Sequence, residues 1–187
     1  MRTIAQLVIR PMREEDIPQL VQLEQEAFGS QEPGISFHQE LRNRLASYIV
    51  ACQARSNSVA DGGDSTEGQV LGYAGIWFVL DEAHLISIAV GEAHQRQGVG
   101  QQLLTTALDL AREKAAIMMT LEVRVSNTSA QALYEKFGFK RVGVRRGYYT
   151  DNHEDAYLMT VEHIDSSEYV EHLERLRTPS PPYLGGD

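Results

Sequence analysis

The stretch from Gly98 to Lys114 carries the clearest helical pattern in the chain, and apolar strand-like segments stand on both sides of it. Val99, Leu103, Ala107, Leu110 and Ala111 share one face, which Leu104 and Leu108 widen. Leu85 to Val90 precedes the helix as a mostly apolar run, as expected of a strand inside a covered sheet. Met118 to Val125 follows it, with Leu121, Val123 and Val125 alternating with Glu122 and Arg124. A strand, a helix and a second strand in succession make a crossover, which favours locally parallel pairing in a sheet with helices on both faces.

The rest of the chain extends this pattern. Ile4 to Arg10 reads as an opening strand with Pro11 near its end, and Asp16 to Phe28 as a helix with a stripe at Ile17, Leu20, Val21, Ala27 and Phe28. Gly29 to Ile35 is a break. Ser36 followed by Gln39 resembles a capping box that starts a short helix through about Leu45. Strands are predicted at Tyr48 to Ala54 and Val70 to Leu80, with a polar, glycine-bearing loop between them. Ser129 to Phe137 reads as a helix closed by Gly138, and Lys140 to Tyr148 and Ala156 to Val161 as a final strand pair. The fold class is α/β (α+β in some schemes), a mixed central sheet covered by helices on both faces. One domain is expected over 1–162, with a flexible loop at 55–68, and an extension over 163–187. The extension holds a possible helix over Asp165 to Arg177, ended by Pro179, Pro181 and Pro182. It could pack on the domain, serve an oligomer contact or stay loose.

Composition narrows the partners. Lys and Arg total 17 against 26 Asp and Glu, a formal charge of -9, which argues against a broad nucleic-acid-binding face. The acidity suits a cationic acceptor and equally suits simple solubility. No run approaches the length of a membrane span, and the first residues lack a secretory pattern, so the cytoplasm is the expected location. Cys52 sits in an apolar run and reads as a buried thiol. His38, His94, His153, His163 and His172 show no metal-ligand spacing, and no metal is expected.

Chemistry concentrates at Val90-Gly91-Glu92-Ala93-His94-Gln95-Arg96-Gln97-Gly98-Val99-Gly100, which joins the apolar strand to the strongest helix. Glycines at 98 and 100 let backbone approach a ligand, and N–H groups at a helix start bind anions. A helix-start turn whose glycines only ease packing fits the same spacing. The glycine pattern is shorter than the dinucleotide fingerprint. Glu122, a carboxylate inside an apolar strand, is a candidate base; it could equally face water or pair with Arg124. Tyr134, on the helix that follows, could donate a proton or pack the helix onto the sheet. His84 reads as packing or a backbone hydrogen bond.

Gln95-Arg96-Gln97-Gly98-Val99-Gly100 resembles the Gln/Arg-x-x-Gly-x-Gly/Ala signature of the GCN5-related N-acetyltransferase (GNAT) superfamily, and the order of elements is similar. Leu121-Glu122-Val123-Arg124-Val125-Ser126-Asn127 and Ala132-Leu133-Tyr134-Glu135-Lys136-Phe137-Gly138-Phe139 narrow it, with Asp81-Glu82-Ala83-His84-Leu85 and Arg145-Arg146-Gly147-Tyr148-Tyr149, to a likeness with the RimI family. That family acetylates the N-terminal alanine of a small-subunit ribosomal protein. The resemblance covers roughly Ile4 to Val161. It implies acetyl-CoA as cosubstrate, with its pyrophosphate on Arg96, Gln97, Gly98, Val99, Gly100 and Gln101. The pantetheine arm would lie along Ile88, Ala89 and Val90, where the strand splays from its neighbour and the Val90 N–H would polarise the thioester carbonyl. Asn127 would contact CoA, Glu122 would accept a proton and Tyr134 would donate one. Tyr148, Tyr149, Arg145 and Arg146 would shape the acceptor groove, and the Glu154-Asp155 turn could attract a peptide terminus or be merely solvated.

Two segments depart from the resemblance. No tryptophan precedes Ser36, where the family usually carries Pro-Trp-Ser, and Tyr149-Thr150-Asp151 replaces Tyr-Pro after the tyrosine pair. Both concern the acceptor more than the donor. A small amine, a lysine side chain or another protein end therefore remains an alternative acceptor, and a noncatalytic acyl-CoA-binding module an alternative class.

Overall fold

A proline that cannot extend a ladder ends the first strand, and an apolar, β-branched run supplies each of the central ones. The structure, a computed structural model, describes residues 7–29, 34–53 and 68–177. These residues form a seven-stranded sheet in the order β1-β2-β3-β4-β5-β7-β6. The strands are β1 (Leu7–Pro11), β2 (Ala46–Gln53), β3 (Val70–Val79), β4 (Glu82–Val90), β5 (Met118–Arg124), β6 (Lys140–Arg145) and β7 (Ala156–Glu162). The helices are α1 (Ile17–Phe28), α2 (Phe37–Glu40), α3 (Val99–Glu113), α4 (Thr128–Lys136) and α5 (Ser167–Leu176).

The crossover through α3 makes β4 and β5 parallel neighbours, as the strand–helix–strand pattern predicts. The later crossover through α4 does not repeat this. β7 folds back from β6 and enters between β6 and β5, antiparallel to both, so β5 and β6 never pair. Alternation along β2 sorts the core into two layers. Ile49 and Ala51 face α3, α4 and α5, whereas Tyr48, Val50 and Cys52 face α1 and Phe37 of α2.

Three expectations change. α1 buries Ile17, Leu20, Leu23 and the carboxylate of Glu24, but Ala27 and Phe28 lie exposed at its end rather than completing a core stripe. The helix begun at Ser36 runs only from Phe37 to Glu40, and Ser36 makes no side-chain cap hydrogen bond. Without that reciprocal capping, so short a helix has little to prolong it. The strand predicted to reach Tyr148 stops at Arg145, because Gly147 at φ 57° turns the chain away and leaves both tyrosines in the connection to β7.

The extension packs on the domain. α5 buries Tyr169 and Leu173, and the Tyr169 hydroxyl donates to Phe137 O at 2.8 Å. Arg177 reaches Asp109 of α3 at 2.8 Å. Gly138 adopts φ 88° after α4, as its position predicts. Ile4 to Gln6, Ser30 to Pro33, the 55–67 part of the polar loop and the closing prolines lie outside the described residues.

Candidate active site

The parallel ladder between β4 and β5 is short. It runs from Glu82 opposite Met118 to Leu85 opposite Leu121, and no rung follows. Beyond it β4 continues against β3 and β5 against β7. Gly75 pairs with Ser87 while Ile76 pairs with Leu85, so Ile86 is an extra residue on β4, a bulge that bends the strand. The two strands diverge around a cleft of about 460 Å³, bordered by Ser87, Ile88, Glu122, Asn127, Tyr134 and Tyr149.

The open edge of β4 presents main-chain groups to this cleft. The Gly91 N–H donates to Leu71 O on β3 at 2.9 Å. Strand alternation then turns the backbone groups of Ala89 toward β3 and those of Ile88 and Val90 toward the open side. The Val90 carbonyl accepts from the Gln95 side chain at 3.2 Å, as that orientation requires. Ala89 is buried against the α1 layer. Of the three residues predicted along this strand, two therefore offer free-edge backbone and the third offers packing.

The turn into α3 is open and rich in glycine. Gly98 is its N-cap at φ 85°, a left-handed conformation with no other atom within 4 Å of a built Cβ. Arg96 also has positive φ, at 57°, and Arg96, Gln97 and Gly98 are exposed. Gly98 has no side chain to cap the opening turn, so the N–H groups of Val99 and Gly100 lack intrahelical acceptors. A Cβ at Gly100 would meet only ordinary contacts, 3.7 Å from Leu133 and Val90 side chains. The side chain of Gln101 donates to Leu176 O at 2.6 Å and accepts from Lys136 at 2.9 Å, so what it can add to the turn is its main chain.

Glu122 stands on the floor of the cleft with a side chain only 8% exposed. Arg124, the partner considered for it, is turned to Asp151, Asn152 and Glu154 instead. Glu122 is held from both sides by other residues. His84 Nε2 lies 2.8 Å from Oε2, and Arg145 Nε lies 3.0 Å from Oε1. These contacts, the His84 hydrogen bond foremost, hold the carboxyl below the usual carboxylate range despite burial. Tyr134 borders the same cleft and packs at 5.8 Å from Phe139. Burial, with the neighbouring Tyr149, pushes its hydroxyl above the ordinary tyrosine range and keeps it protonated. Asn127 caps α4 through Oδ1, which accepts from the Ala130 N–H at 3.1 Å, and also borders the cleft.

The opposite wall is a closed polar network. Arg124 stacks 3.8 Å from the Tyr149 ring, and Tyr149 meets Tyr148 edge-on at 5.1 Å. Glu154 accepts from the Ser126 N–H at 2.7 Å and from Arg124 at 3.1 Å, which brings its pKa down to about 2. Asp155 is taken by the Gly147 N–H and Arg146. Both carboxylates of the turn thus have partners, the one at Asp155 an arginine whose side chain is itself exposed. Among the described residues, no group of three or more His, Cys, Asp or Glu is arranged to hold a metal ion. No described helix is long and apolar enough to cross a membrane.

His84 and Arg145 as partners of Glu122, and Phe28 as a border of the cleft, were outside the sequence expectations for these residues. His84 and Glu122 share a face only because His84 pairs with Thr120, a register that local sequence does not encode.

The family model described as the acetyltransferase (GNAT) family matches residues 13–139. A Bacillus subtilis (strain 168) protein, provisionally named a ribosomal protein bS18-alanine N-acetyltransferase, is 40% identical over 154 residues, 82% of this chain and 93% of its own. The crystal structure of the ribosomal-protein-S18-alanine N-acetyltransferase from Escherichia coli superposes with a TM-score of 0.66 at 31% identity, covering 84% of this chain and 94% of that one. Arabidopsis thaliana NAA60 in complex with acetyl-CoA shares the fold, with a TM-score of 0.71 at 18% identity over 84% of this chain and 98% of its own.

Proposed function

The chain belongs to the acetyltransferase (GNAT) family and is an acetyl-CoA-dependent N-acetyltransferase, and from that premise we propose that it acetylates the N-terminal alanine of ribosomal protein bS18 in the cytoplasm. The observation that carries this reading is the wedge between β4 and β5, with Glu122 on its floor and Tyr134 on its wall.

The residues present fit acetyl-CoA. Gly98 leaves open space where a side chain would stand, and the turn from Arg96 to Gln101 can give main-chain N–H groups to a pyrophosphate. The free edge at Ile88 and Val90 suits an amide-bearing arm, and Asn127 borders its path. When bound, acetyl-CoA supplies an activated acyl group and a thiolate leaving group.

The chain's own residues then manage protons. An ordinary carboxylate lies roughly three to four pH units below an α-amine at ~7.7–8.0, and Glu122 lies lower still. It therefore accepts a proton only from nitrogen made acidic by attack, directly or through one water. Tyr134, kept protonated by burial, is the donor to the departing sulfur.

Incubation with acetyl-CoA and peptides beginning with Ala, Ser or Met, beside free lysine and polyamines, tests the acceptor by CoA release. Turnover is expected with the alanine peptide. Turnover of small amines with none on any peptide overturns the assignment.

A further inference from the structure

We propose that His84 is a positioning residue for acetyl transfer, pinning Oε2 of Glu122 from β4 so that Oε1 is the oxygen that works in the cleft. The inference rests on the reading of Glu122 as proton acceptor.

Glu122 stands where the β4–β5 ladder gives out, and His84 stands one rung inside its end. The last rung is Leu85 opposite Leu121, and Glu122 is the next residue on β5. His84 lies inside the ladder, opposite Thr120, and its Nε2 reaches to 2.8 Å from Oε2 of Glu122, the first residue of β5 past the last rung. An ionised carboxylate only accepts hydrogen bonds, so Nε2 must carry the hydrogen. The donor comes from a strand held on its other edge by β3, where His84 pairs with Trp77. Its position is set by two ladders rather than by a flexible stem.

The other oxygen is held differently. Arg145 lies at the end of β6, its side chain 51% exposed and its guanidinium 5.7 Å from the Tyr148 ring. A half-exposed arginine contact of this kind contributes little and opens readily. An arriving acceptor can replace Arg145 at Oε1, whereas His84 stays. Loss of both contacts would leave the carboxylate free to swing, and the histidine prevents that by holding Oε2 in place. The groups that face Glu122 are His84 from β4, Arg145 from β6, and Tyr148 and Tyr149 from the connection beyond β6. In the reaction the proton leaves the acceptor nitrogen for Oε1, and no bond to hydrogen is made or broken at His84.

The test compares His84→Gln with His84→Asn, two amides of which only the longer can bring an N–H to the place of Nε2. In steady-state kinetics with acetyl-CoA and an alanine-initiated peptide, His84→Gln should retain kcat within about fivefold. His84→Asn should lose about 10- to 100-fold in kcat, the scale of one hydrogen bond to a charged group, with KM for acetyl-CoA unaltered. Its acid limb should also move to higher pH, because the contact that most depresses Glu122 is gone. Equal kcat and equal acid limbs in the two variants overturn the proposal. Glu122→Gln, measured alongside, separates the two readings. Full turnover in that variant overturns the proton-acceptor role and this inference together, while a dead Glu122→Gln beside a fully active His84→Asn overturns only the role of His84.

Discussion

Arg145 Nε rests 3.0 Å from Oε1 of Glu122, so one oxygen of the candidate base already holds a cation before any acceptor arrives. A substrate ammonium drawn to the same carboxylate would have to compete with this guanidinium. Replacing Arg145 with Gln should lower the KM for peptide. It should also move the acid limb of kcat/KM upward. The sign follows from the carboxyl, whose depressed pKa is owed first to His84 and then in part to Arg145. A downward movement of that limb would remove Arg145 from the account.

The turn into α3 contains two glycines that differ in how much they matter. Gly98 occupies φ 85°, so Gly98→Ala should cost about 1–2 kcal/mol, or roughly 2–8 °C in Tm, and weaken acetyl-CoA binding. Gly100 tolerates a Cβ at 3.7 Å contacts, and Gly100→Ala should keep its melting temperature and its KM for acetyl-CoA within about threefold. Calorimetry and titration of acetyl-CoA read both.

Burial keeps the Tyr134 hydroxyl protonated across the working pH range. Tyr134→Phe should therefore lower kcat by about 100-fold with acetyl-CoA affinity nearly unchanged. A variant that instead loses affinity while keeping kcat would mark Tyr134 as a packing residue.

Glu24 points inward from α1, 4% exposed, with Oε2 lacking a hydrogen bond among the described residues, and burial raises its pKa to about 7. The folded state thus binds this proton more tightly than the unfolded chain. Its contribution to stability is full below the ordinary value near 4.5 and is lost as pH rises to about 7. Glu24→Gln should flatten that decline, so thermal melts of the two proteins should diverge between pH 5 and 8 in favour of the variant. Parallel curves would show that Glu24 does not titrate in this window.

Much of this site is legible in the sequence because it is written locally. The amphipathic run of α3, the glycines that open it and Gly138 after α4 each act within a few residues, and each stands where its spacing predicts. The partners of Glu122 are not local. His84 and Arg145 meet it across β4, β5 and β7-flanking β6, and their meeting depends on register and on β7 inserting between β5 and β6. The same limit explains Phe28. Helical spacing gives its direction around α1, but the length of the helix relative to the sheet leaves it at the cleft rather than in the core.

The central claim joins a donor wedge, a protein α-amine and Glu122 as proton acceptor. A peptide with an N-terminal alanine and an internal lysine tests all three when the acetylated nitrogen is located by tandem mass spectrometry, for the wild-type chain and for Glu122→Gln. The account predicts acetyl on the α-nitrogen in the wild type, and a loss of about 100-fold or more in the variant while acetyl-CoA still binds. Acetyl on the lysine Nζ, or undiminished α-transfer by Glu122→Gln, would contradict it.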